Sequence, residues 1–179
     1  LNGIGIVEQD LHHVTVQSFV DPTRFPVDGL LRRIYIISSS MQDAAIIALR
    51  DRRRDLAEEV IHMEDEVDRI YWLVVRQLLL AARDKNVAKK IEIESPLHIV
   101  GDRLVAESLE KIGDFALGMA KQVINLIELG KPISEDLMQD LSSFSKTVRE
   151  IYDKTMKSLF ALDIKLANDA VESVEKAER

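Results

Sequence analysis

The chain has 179 residues, 46% of them hydrophobic, and a net charge of −7. That charge opposes phosphate backbones and argues against a nucleic-acid binder. The absence of cysteine excludes disulfides and thiolate metal sites and fits a reducing compartment.

No apolar run reaches the roughly 18 residues that a membrane-crossing helix needs. Aromatics make up only 5%, Gly and Pro number 7 and 4, and charged residues reach 31%. Few chain breakers and many helix-favouring side chains predict long helices and an all-α fold. The one basic run, Arg50 to Arg54, is short and broken by Asp51, as a solvated helix end would be.

The first 26 residues differ from the rest. Ile4–Val7 and His13–Val20 are β-branched and partly alternating, which predicts two short strands, with the rings of His12 and His13 on opposite faces. Asp21-Pro22 and Phe25-Pro26 then turn the chain. Two strands alone are marginal, so the segment is expected to complete a sheet with further sequence or a partner. Leu1–Asp10 lacks the basic start of a signal peptide, and the chain opens without Met, so an N-terminal part is expected to be missing or removed.

From Asp28, a predicted N-cap, the apolar period becomes helical through Leu30, Ile34, Ile37, Met41, Ala44 and Ala48. A second helix is predicted from Arg54 to Arg83, through Leu56, Val60, Met63, Val67, Ile70, Val74 and Leu78. A third starts at Ser95-Pro96, cap and first position, and runs to Gly130. A fourth opens at Ser134 and a fifth near Ile164. Short links make the first three long helices one antiparallel unit. Leu49, Leu56, Ala57 and Ile61 correspond to Leu159, Leu166, Ala167 and Val171 at a constant offset, which reads as the start of a second copy. The expected organisation is a β segment at 1–26, a three-helix unit at 27–131 and a partial second repeat at 132–179. An unfinished second unit exposes apolar surface and favours a dimer or a C-terminal cut.

Two acidic pairs stand out: Glu64 with Asp68, and Glu110 with Asp114. Four-residue spacing places each pair on one side of its helix, about one turn apart. Carboxylates are hard ligands suited to Mg, Ca, Mn or Fe. Acids four apart are no commoner here than 31 acids would give by chance, so spacing alone does not choose between a metal site and a solvated face. On the helical wheel Glu64 and Asp68 border the apolar stripe. Arg103, Glu107, Glu110, Asp114 and Lys121 fall opposite the stripe of the third helix, so any metal is expected at the surface. Glu59-Val60-Ile61-His62 has the spacing of a di-iron carboxylate bundle, but no second copy exists, since Pro96 lies between Glu94 and His98. Trp72, beside Tyr71, is expected in the core or a dimer contact. No nucleophile set, phosphate loop or zinc signature is present.

The stretch Val60 to Asp68 (VIHMEDEVD) resembles the first acidic motif of the PhoU phosphate-uptake regulators. Ser108 to Asp114 (SLEKIGD) resembles their second, and Arg103 and the entry Leu31-Arg32-Arg33-Ile34-Tyr35 also fit. The resemblance covers roughly residues 28–130. It implies an all-α, PhoU-like three-helix repeat carrying a multinuclear metal cluster, often iron, with Glu64, Asp68, Glu110 and Asp114 as ligands and Glu107 as a further candidate. The residues themselves give no support for catalysis. The resemblance also implies a cytoplasmic protein, without membrane insertion, that acts with a Pst-type phosphate transporter and its sensor kinase. The chain departs from the family pattern at Phe115 and Gly118, where His and Asn are common, and at Lys121, where an acid is common. Val174 stands where a second repeat would carry the counterpart of Glu64, which argues against a second cluster. The alternatives are a metal-sensing dimerisation module of a DNA-binding regulator, with an upstream AbrB-like domain, and a ferritin-like di-iron enzyme.

Overall fold

The computed structural model describes residues 4–18 and 24–177. Two strands, β1 (Ile4–Gln9) and β2 (Val14–Ser18), pair antiparallel with a register shift between Ile6 and Glu8. Six helices follow: α1 (Val27–Asp51), α2 (Arg54–Arg83), α3 (Lys85–Lys90), α4 (Pro96–Glu128), α5 (Glu135–Ala161) and α6 (Ile164–Ala177). The predicted all-α class, the four long helices and the N-terminal strands are all present. Phe19, Val20 and the Asp21-Pro22 turn lie outside the described residues.

Three details depart from expectation. Asp28 lies inside the first turn of α1, which Pro26 precedes. An acid there still suits the positive end of the helix dipole. His12 and His13 occupy the hairpin turn rather than a strand, because Asp10 Oδ1 accepts both of their backbone N–H groups at 2.7 and 2.8 Å. That local bond offers the backbone an alternative to the ladder. The short helix α3 has too few residues to display an apolar period. It is fixed at its start by Asp84, which accepts from the Asn86 N–H at 2.8 Å, and beyond its end by the buried Ile91 and Ile93.

The core belongs to α1, α2 and α4, which pack on one another as a three-helix bundle. Ile34 and Met41 of α1, Val60 and Val74 of α2, and Ala106 and Ala120 of α4 are fully enclosed. Small side chains on α4 let its backbone approach the other two helices, and the burial of their branched residues contributes most of the stability. Tyr71 is buried, whereas Trp72, next to it, is 61% exposed and so is no core residue.

The fourth long helix, α5, rests on α1 by polar bonds around an aromatic pair. Tyr35 and Tyr152 meet edge to face at 5.1 Å, the Tyr152 and Ser38 hydroxyls lie 2.8 Å apart, and the Tyr35 hydroxyl donates to Asp153 Oδ1 at 2.6 Å. Arg149 bridges Asp153 and Asp43. The turn between α5 and α6 repeats the turn between α1 and α2. Arg52 and Leu162 are both left-handed, with φ of 51° and 52°. The Arg53 N–H bonds the Ala48 carbonyl at 3.0 Å, and the Asp163 N–H bonds the Ser158 carbonyl at 2.9 Å. Each residue of the later turn stands 110 positions after its counterpart. Two non-glycine residues in this costly conformation at matching places form the same chain reversal.

Candidate metal centre

α4 packs against α2 at Gly113, which is buried. A Cβ there would lie 3.4 Å from Val67 Cγ1 and 3.8 Å from Met41 Sδ. Val67 sits between Glu64 and Asp68 in sequence, and Gly113 between Glu110 and Asp114. This contact therefore aims the two acidic pairs at each other across one helix–helix seam.

The electrostatics record the meeting. Burial first, and then the charges of Asp68 and Asp114, push the Glu64 carboxyl above its ordinary pKa. Asp68 is raised by burial and then by Asp114 and Asp65. Glu110 is raised by burial and then by Asp114 and Asp68. Each helix thus feels the negative charge of the other. Glu64, Asp68 and Glu110 are half-buried along the seam, and Asp114 is exposed at its rim. The wheel had placed Glu110 opposite the apolar stripe of its helix. The close Gly113 contact instead brings it to the edge of α2, because a second helix covers more of α4 than the stripe alone.

Among the described residues none of these four carboxylates takes part in an ion pair, although Lys121 lies near enough to ease the charge of Glu64. Glu107 differs. It pairs with Lys111 at 3.0 Å and with Arg103 at 3.4 Å, and Lys111 first of all holds its carboxyl below the usual range. Its charge is already answered, which sets it apart from the other four. Among the described residues no three His, Asp or Glu side chains close into a coordination sphere. Mutual repulsion between like charges opposes such closure. Carboxylates without ion-pair partners on two facing helices are the donor type that hard cations take.

Glu59 and His62, the di-iron spacing, are both exposed rather than directed into the bundle, so a ferritin-like centre has no support here. Sequence reasoning missed the neighbours Asp65 and Lys121 as tuning charges. Asp65 was visible as the residue between the paired acids, while Lys121 reaches the site only because α4 continues along α2.

These helices form an all-α unit with an acidic seam between two of its three core helices. A family model, the PhoU domain, matches residues 31–123, more than half of the chain. The chain belongs to the PhoU family of phosphate-homeostasis regulators. Neither the comparison with curated proteins nor that with solved structures gives a match. Among the described residues no helix is long and apolar enough to cross a membrane.

Proposed function

We propose that this chain regulates phosphate uptake and phosphate signalling, and that the seam between α2 and α4 holds multivalent cations through Glu64, Asp68, Glu110 and Asp114. The observation that supports it is the cross-helix repulsion of acids without ion-pair partners. Such an arrangement costs stability in the bare protein, and a cation removes the cost by cancelling the charge. Loading then fixes α2 against α4 and changes the charge of one outer face. A transporter subunit or its sensor kinase would read that face. Oxygen ligands of this kind suit iron, Mn, Mg or Ca.

The matched turns at Arg52 and Leu162 support a partial second repeat over residues 132–179. Uptake of labelled phosphate tests the regulatory reading. Cells whose only copy carries Glu64→Gln, Asp68→Asn, Glu110→Gln and Asp114→Asn should fail to restrain uptake when phosphate is ample. Normal restraint by that variant would contradict it.

One observation favours the DNA-binding alternative. Ile6, Val7, Val14 and Val16 of the hairpin are all at least half exposed, and among the described residues the hairpin has no extensive packing against a helix. Apolar residues on both faces of two strands suit a larger sheet. A β-rich domain encoded directly upstream would bear this out, and its absence from the coding sequence would end it.

A further inference from the structure

We infer that the outer face of α2 docks on the surface of an anionic lipid bilayer. Arg69, Trp72, Arg76, Leu79 and Arg83 follow steps of three and four, so basic and apolar side chains alternate along one side of the helix. At 1.5 Å per residue this ridge is about 21 Å long. It lies opposite the buried stripe of Val67, Ile70, Val74 and Leu78, and Trp72 and Leu79 are 61% and 62% exposed. The later helices α5 and α6 border α1 and α4 instead.

Charge selects the occupant. Residues 69–90 carry six basic side chains and one acid, Asp84, although the chain as a whole is acidic. Asp84 is engaged in capping α3, and the exposed Lys85, Lys89 and Lys90 carry positive charge past the end of α2. Among the described residues Arg69, Arg83 and these three lysines make no ion pair. The acids upstream on α2, Asp65 and Asp68, border only the Arg69 end of the ridge. Salt confines their effect to about 8 Å, which leaves the ridge its own positive field.

Shape separates a bilayer from a protein partner. A shallow hollow of about 240 Å³ on this face is lined by α2 alone, from Trp72 to Arg83. With no second element as a wall, a convex ridge offers no groove to a partner helix. A plane suits it. The indole and Leu79 enter the boundary between headgroups and acyl chains, while the guanidinium groups meet lipid phosphates. The contact needs no helix to cross the bilayer and does not depend on the cation seam.

Trp72 is the one tryptophan of the chain, so its emission reports on this face. Vesicles of phosphatidylglycerol and phosphatidylcholine should shift the emission of the purified chain to the blue, and brominated acyl chains should quench it. Phosphatidylcholine alone should do neither, and about 0.5 M salt should reverse the shift. Arg69→Gln with Arg83→Gln should weaken vesicle binding about thirtyfold, with helix content unchanged by circular dichroism. Emission unchanged by anionic vesicles at low salt would overturn the inference. So would vesicle binding that leaves Trp72 unquenched, or that the double variant retains in full. A response to soluble polyglutamate with none to vesicles would assign the ridge to an acidic protein and overturn it equally.

Discussion

Gly113 lies against Val67, and that contact decides how closely the acids of α4 meet the acids of α2. The added Cβ of alanine would sit at 3.4 Å from Val67 Cγ1, an ordinary van der Waals contact. Gly113→Ala should therefore fold normally and gain up to about 1 kcal/mol from helix propensity. Gly113→Leu has no such room. It should lose about 1–3 kcal/mol through overpacking and spread the two acidic pairs, so that cation uptake falls as well. Urea denaturation and metal analysis of the two variants measure both effects.

Neutralising the seam should have opposite consequences with and without cations. In chelator, Glu64→Gln combined with Asp68→Asn should raise the melting temperature, because it removes repulsion that burial strengthens. With added cation the native chain should gain stability by mass action, and the variant should not. Thermal melts in the two buffers give the comparison.

The half-buried Asp102 supplies a pH test away from the seam. Burial, and then the charge of Asp28, raise its carboxyl above the usual value, while His98 acts against them. An acid whose folded pKa is raised destabilises the fold above that pKa, and the penalty fades as pH falls through it toward the unfolded value. Asp102→Asn should stabilise the protein at neutral pH. The gain should shrink as pH drops through the upper carboxylate range. The difference between native and variant melting temperatures across pH is the measurement.

The hydroxyl of Tyr152 is paired with Ser38 in a buried site between α1 and α5. Ser38 keeps its bond to the Ile34 carbonyl at 2.9 Å when that hydroxyl is removed, so no buried group is stranded. Tyr152→Phe should cost about 0.5–1.5 kcal/mol. Hydrogen exchange should rise in α5 ahead of the three core helices.

The long helices were legible because their apolar residues keep one period over many turns, and because Pro96 and Ser134 mark two of the starts. The strands were legible from β-branched residues, but the histidines between them were not. Their turn depends on a single side chain, Asp10, bonding backward, and no periodic pattern carries that. The four acids of the seam were recognisable by resemblance, whereas their spacing was uninformative. What brings them together is one glycine, Gly113, and a missing Cβ leaves no mark on a hydropathy pattern. Glu107 was separable from Glu110 in sequence, since Arg103 and Lys111 stand four residues to either side of it on the same helix.

Elemental analysis of the chain purified without added metal or chelator tests the central claim most directly. The native protein should carry bound metal in fixed ratio to protein, and the variant lacking the charges of Glu64, Asp68, Glu110 and Asp114 should carry none. Equal metal in both, or none in either even after dialysis against iron or manganese, would contradict a cation centre between α2 and α4.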